Sequence, residues 1–289
     1  MPSVSLSITN FMSQFLAVEL DSAGMVATSG VPVVDAAAQE SLSTGLPAIK
    51  KSDLATDGSV AMTVPVYKQG QIVSMAGFLA HCDQQTLGVM EVWQPIGVYD
   101  ELSLTLGYFG AMERFQNVTA YVRFEKGSGL PGQVWENRDC IIHDNLPSHP
   151  GFLRAAGASA DSLQLAIGMP VADEEFLASV LLISSDAFPI AKAYEVWHPD
   201  GDQFTLTQAA YQRVSDDMRL EIGAKVPVAA AGSPPSLVDL ALQQGAVVTG
   251  EQSERLWIGR DGCEAGSGMG IAIPFYQGDQ VHSVLVCVA

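Results

Sequence analysis

The chain has 289 residues, with 32 acidic against 14 basic side chains and a formal net charge of −18. That field repels phosphate backbones and anionic lipid, which excludes nucleic acid and the membrane surface as partners. Hydrophobic residues make up 48% of the chain and charged residues only 16%. Such a chain can bury real cores, and it either shows Ser, Thr, Gln and Gly to water or hides apolar surface between domains or subunits.

The first residues lack the basic and long apolar regions of a signal peptide. No apolar run reaches the roughly 18 residues needed to cross a bilayer. A cytoplasmic location is the expectation, and Asn117-Val118-Thr119 is read as a chance glycosylation pattern. Residues 39–49 read as a short helical stretch closed by Gly45, where a helix C-cap wants a left-handed residue. Ala61–Val66 and Val73–Leu79 follow as apolar strands joined by the polar turn Lys68-Gln69-Gly70-Gln71, the pattern of a hairpin. Glu91-Val92-Trp93 opens a second set, with another strand over Glu101–Leu106. Leu106, Phe109, Met112 and Phe115 then read as an apolar helical stripe, facing either its own sheet or a second copy of the chain. A helix-to-strand stretch over Gly132–Ile142 is capped near Asn137, and the apolar runs Ala166–Val171 and Leu177–Ile183 follow. The third set repeats the order: Glu195-Val196-Trp197, Gln203–Thr207, a helix over Leu237–Val248 with Gly245, then Ile271–Phe275 and Val281–Val288.

Three markers thus recur in one order. Pro65, Pro170 and Pro274 follow one another at intervals of about 105 residues, and Glu91-Val92-Trp93-Gln94-Pro95 returns at the same interval as Glu195-Val196-Trp197-His198-Pro199. The chain reads as a triplication, with units over residues 1–86, 87–191 and 192–289. The connectors are short and not rich in Gly or Ser, so the units are expected to pack on one another. Strands alternate with helices, and the expected class is α/β of the α+β type: three units, each a mainly antiparallel sheet with flanking helices.

The middle unit carries the densest motif: Phe124-Glu125-Lys126-Gly127-Ser128-Gly129-Leu130-Pro131-Gly132-Gln133-Val134-Trp135, then Ile141-Ile142-His143-Asp144, Phe152-Leu153-Arg154-Ala155 and Leu165–Val171. Gly127, Gly129 and Gly132 permit a tight turn after a strand. Pro131 suits the first position of a helix, and Trp135 would pack from that helix onto the sheet. No third glycine at the nucleotide-binding distance and no P-loop Lys-Ser/Thr follow. The segment, over roughly residues 124–183, resembles the GAF domains of bacterial sensor proteins. The outer units share the weaker markers only and read as degenerate, which makes the whole three tandem GAF/PAS-like units.

The resemblance implies a small-molecule pocket between the sheet and the segments preceding the proline strand. It would be lined by His149, Phe152, Arg154, Ser162 and Met169, with Arg154 as a clamp for an anionic group or, alternatively, in an ion pair with Asp144 or Asp161. The cyclic-nucleotide and bilin signatures of other GAF groups are absent, and the sequence names no cofactor. His143 and His149 lack metal-ligand spacing, so no metal is assigned. Free methionine sulfoxide reductases are GAF proteins that gather several cysteines round one pocket; here Cys82, Cys140, Cys263 and Cys287 are scattered, and Cys140 stands alone in its unit. The function expected is therefore a non-catalytic sensory or regulatory protein that binds a small molecule in unit two and signals through a protein partner. The alternatives are a ligand-free interaction or dimerisation module and, behind it, a Cys-dependent reductase.

Overall fold

In the computed structural model, the described residues are 10–52, 58–81, 87–97, 99–230, 232–251, 256–260 and 268–289. Cys82, Cys263, the first nine residues and the boundary set at residue 86 lie outside them. The first sheet holds β1 (Met12–Val18), β2 (Ala48–Lys51), β3 (Ser59–Lys68) and β4 (Gln71–His81), with α1 (Pro32–Thr44) between β1 and β2. The second set is β5 (Gly88–Pro95), β6 (Glu101–Tyr108), α2 (Glu113–Thr119), β7 (Arg123–Glu125), α3 (Gly129–Asn137), β8 (Ile141–His143), α4 (Ala155–Ala160), β9 (Leu163–Ala172) and β10 (Phe176–Ser185). The third is β11 (Ala193–Asp200), β12 (Gln203–Tyr211), β13 (Lys225–Pro227), α5 (Leu237–Gln244), β14 (Val248–Gly250), β15 (Gly270–Gln277) and β16 (Gln280–Val288).

The strand orders are β1-β4-β3-β2, β7-β6-β5-β10-β9-β8 and β13-β12-β11-β16-β15-β14, and the pairings are antiparallel. The second and third orders correspond strand for strand. The first keeps only the four strands that match β5, β10, β9 and β8.

Each sheet has two buried faces. Along β3, Val60, Met62, Val64 and Val66 point to one side, and Leu165, Ile167, Met169 and Val171 of β9 do the same, as do Ile271, Ile273 and Phe275 of β15. These rows meet in one core shared by all three sheets. The opposite faces carry separate cores under each sheet's own helices: Val34, Ala37 and Ala38 of α1, Leu130 and Val134 of α3, and Leu237, Val238 and Ala241 of α5. Strands buried on both faces read as continuous apolar runs, and the shared core is where the low charge content goes.

The sheets meet head to tail. The strand edge after each helix abuts the next unit: β2 touches β6, β8 touches β12, and β14 touches β1. Gln208 of β12 reaches across one junction, donating to Cys140 O (2.7 Å) and accepting from Ile142 N (2.9 Å). At another, Ser74 accepts from Val247 N at 3.0 Å. Three like junctions close a ring with approximate threefold symmetry, the closed form of a heterologous interface.

Local chemistry explains the helix limits. Gly45 and Gly245 end α1 and α5 at φ +72° and +62°, and Ser236 with Asp239 forms a capping box at the start of α5. In the middle unit Arg138, not Asn137, takes the left-handed cap, at φ +51°. Pro131 is the third residue of α3 rather than its first. Gly132 is required by space: a Cβ there would lie 2.1 Å from the Glu125 carbonyl oxygen. Trp135 stacks on Phe176 of β10, with centroids 5.5 Å apart. The supposed helical stripe is divided: Leu106 sits exposed on β6, Phe109 and Met112 precede α2, and Phe115 is within it. The last three are buried in their own unit's core. No helix among the described residues is long and apolar enough to cross a membrane.

Candidate functional site

The outer face of the second sheet is where the motif residues gather. Glu91 on β5 and Arg154, just before α4, are fully buried and form a two-pronged ion pair. Arg154 Nη1 lies 2.5 Å from Glu91 Oε1 and Nη2 lies 2.8 Å from Oε2. Trp93 Nε1 donates to Glu91 Oε2 (2.9 Å), and Thr119 accepts from Arg154 Nη1 (2.9 Å). The guanidinium lies among the rings of Trp93, Phe115, Phe124 and Phe152, 4.8 Å from the Phe115 centroid. Aromatic faces and a carboxylate together neutralise and cover the cation. Neither Asp144 nor Asp161 is its partner: Asp144 is exposed, and Asp161 Oδ2 is buried without a hydrogen bond. Arg154 Nε is likewise buried without a partner.

The third sheet repeats the arrangement at the matching strand. Arg260 Nη2 meets Glu195 Oε1 at 2.5 Å, Trp197 Nε1 donates to Glu195 Oε2 at 3.0 Å, and Tyr211 OH donates to Oε1 at 2.9 Å. Burial and the charge of Glu195 push the Tyr211 phenol up to about 12. In the first sheet the matching residue is Leu16, since Val18 occupies the register position of Trp93 and Trp197. No such pair forms there, and Leu16 packs with Val34 and Ala38 of α1 instead.

Phe152 and Arg154 therefore lie together, with the guanidinium over the Phe152 ring. Met169 is not with them: it points into the core shared by the three sheets, on the opposite face of the second sheet. Ser162 lies exposed in the turn before β9, at φ +56°. His149 is half-buried and stacks on His143, with ring centroids 3.8 Å apart. His143 Nε2 bonds Gln133 Oε1 at 3.0 Å. Burial, and secondarily His149, pushes the His143 imidazole down to about 4. Cys140 and Cys287 are buried in the shared core, and burial pushes both thiols up, away from the reactive thiolate.

Sequence reasoning missed Glu91, which lies 63 positions from its partner. The signal was present: Glu-Val-Trp occurs in both units that also supply a buried Arg.

A separate open depression of about 730 Å³ lies where the three hairpins converge. Tyr67, Arg138, Asp173 and Tyr276 are among its walls. Beneath it sit Pro65, Pro170 and Pro274, the repeat's own marker residues.

No protein-family model matches the chain, and no curated protein matches it. Solved structures do. A GAF domain of A. aeolicus nlh2 is 18% identical over 34% of this chain and 57% of that one, with a TM-score of 0.28. A free methionine-R-sulfoxide reductase from Neisseria meningitidis is 17% identical over 35% and 53%, with a TM-score of 0.27. NreA of Staphylococcus aureus, mutated in its nitrate-binding site, is 15% identical over 38% and 80%, with a TM-score of 0.31. The chain spans little more than half the length of the first two, and likeness of this degree says nothing of its activity.

Proposed function

We propose that this chain is a non-catalytic regulatory interaction module, a three-unit scaffold whose internal pockets are plugged by its own side chains and which acts through a protein partner. The observation that carries the reading is the pair of Glu–Arg–Trp plugs. Each lies on the outer face of its sheet, where the GAF resemblance would put a small molecule, and each Arg already has a bidentate or hydrogen-bonded carboxylate partner. An incoming anion would have to displace a buried, charge-assisted pair and leave Glu91 or Glu195 uncompensated. The buried, protonated thiols of Cys140 and Cys287 weigh against a reductase built on them.

Native mass spectrometry of the freshly purified chain tests this. The expected spectrum is the bare chain, and Arg154→Ala should lower stability by about 3–5 kcal/mol. A stoichiometric co-purified molecule that is absent from a still-folded Arg154→Ala variant would overturn the proposal. The small-molecule reading keeps one specific observation in its favour, the axial depression with its tyrosines and Arg138. A co-purified molecule retained by Arg154→Ala and lost on Arg138→Ala would move the function there.

A further inference from the structure

At the junction of the second and third sheets, three potential metal ligands converge from distant points of the chain. Asp139 lies between α3 and β8, His198 is on β11 and His282 is on β16. Asp139 Oδ2 is 2.9 Å from His198 Nε2 and 3.8 Å from His282 Nε2. All three ligand atoms lie within 4.8 Å of one another. We propose that Asp139, His198 and His282 form a binding site for a divalent first-row transition metal of the zinc class, which staples the second unit to the third.

The geometry is prepared rather than incidental. Asp139 Oδ1 is fixed by Cys140 N (2.7 Å) and by the Ser283 hydroxyl (2.5 Å), so Oδ2 is the oxygen turned to the imidazoles. Hydrogen bonds that orient a ligating carboxylate are the usual support of a metal ligand. His198 Nε2 is buried, and the group it faces is Asp139 Oδ2, at 2.9 Å. His282 is aimed by a bulge. Phe275 pairs with Ser283 and Tyr276 with Val281, which leaves His282 as the extra residue of β16, and a bulge re-aims the side chain it carries. Around a tetrahedral ion with bonds of about 2.0–2.1 Å, ligand atoms lie about 3.3 Å apart. Closing these three onto an ion changes the two carboxylate–imidazole separations by about half an ångström and the imidazole–imidazole separation by at most about 1.5 Å. All three side chains keep some exposure, which leaves the remaining coordination position to water.

The threefold repeat supplies an internal control. Strand register makes Leu46 and Ala246 the counterparts of Asp139, since Ala48, Ile141 and Val248 pair at matching positions before the three prolines. By the same register Gln94 and Glu19 match His198. The bulge also recurs, with Leu177 and Val73 in the place of His282. One junction thus carries two imidazoles and a carboxylate where the other two carry Gln94, Leu177 and Leu46, or Glu19, Val73 and Ala246. The fold does not demand these residues, yet they coincide at a single junction. Imidazole and carboxylate together suit zinc and its first-row neighbours.

The test uses the full chain stripped with a chelator, then titrated with Zn²⁺ by calorimetry and with Co²⁺ by visible absorption. One equivalent per chain, low-coordinate Co²⁺ bands and a raised unfolding midpoint are expected. His282→Gln, at the partly exposed rim, should keep the fold and weaken binding more than about tenfold. His198→Gln should do the same, and His149→Gln, in the other histidine pair, should leave binding unchanged. Absence of stoichiometric metal binding, or binding undiminished in folded His282→Gln, would overturn the site. Loss in His149→Gln instead would place the ion elsewhere and overturn it equally.

Discussion

Arg154 illustrates how a residue's role follows from what already surrounds it. Arg154 has a buried carboxylate, a hydroxyl and four aromatic rings as neighbours. A pair so enclosed stabilises little by itself, because desolvation offsets most of the attraction, but breaking it is costly. Glu91→Gln is therefore expected to destabilise by about 3–5 kcal/mol in urea unfolding, while the double change Glu91→Leu with Arg154→Met recovers most of that loss. Leu16 at the matching place in the first sheet indicates that an apolar residue fits that position of the fold. His143 gives a second residue-scale expectation. Its imidazole is held near 4 by burial and by His149, against an ordinary 6.5. The folded chain keeps it neutral in a range where the unfolded chain binds a proton. Its contribution is thus complete above about pH 6.5 and lost as the pH falls toward 4, by up to about 3 kcal/mol. The urea midpoint should fall across that window, and His143→Gln should flatten the slope; an unchanged slope would assign the acid sensitivity to other groups.

Elements were legible in the sequence where local chemistry decides them. Gly45 and Gly245 marked their helix ends because only the left-handed cap explains a glycine after an apolar stretch there, and both take it. Asn137 failed by one position, because the turn into β8 puts the strain on Arg138. The stripe from Leu106 to Phe115 looked helical because a strand end, a turn and a short helix can mimic a period of three to four residues. What the sequence could not show is the bulge in each hairpin, since an extra residue in a strand is visible only from its partner. One consequence belongs to the helix ends. Tyr67 and Tyr276 donate to the carbonyls of Gly45 and Gly245 at 2.7 and 2.8 Å, tying each hairpin to the end of its unit's helix. Tyr276→Phe should cost about 1 kcal/mol, the net worth of such a bond. Gly245→Ala should cost more, because its Cβ would fall 2.5 Å from the Tyr276 hydroxyl in a backbone region that L residues avoid. An unchanged stability of Tyr276→Phe would show that the tyrosine does not brace the cap.

At the scale of the whole molecule, the repeat was readable and the ring was not. Matching prolines and the Glu-Val-Trp pair gave three units in order, but nothing in a one-dimensional period says that the third unit returns to touch the first. That contact is made by β14 against β1 and by the Ser74 hydroxyl at Val247. The rows that close the ring, Ile271 and Ile273 from one unit against Met62 and Val64 and against Ile167 and Met169 from the others, form a single core. The units are then not independent domains, since each one's inner face is completed only by the other two. A fragment ending at residue 191 would uncover the faces of the first two sheets that β15 and β16 cover in the intact chain. It is expected to bind an apolar dye and to run above its monomer mass in light scattering, because an exposed apolar area of that extent seeks another copy. A monomeric fragment with a sharp, cooperative melt would show instead that the inner faces are secondary to the helix-covered cores. In the intact ring, the same dependence gives the Asp139–His198–His282 junction its leverage: an ion held there acts on a contact that all three units need in order to fold together.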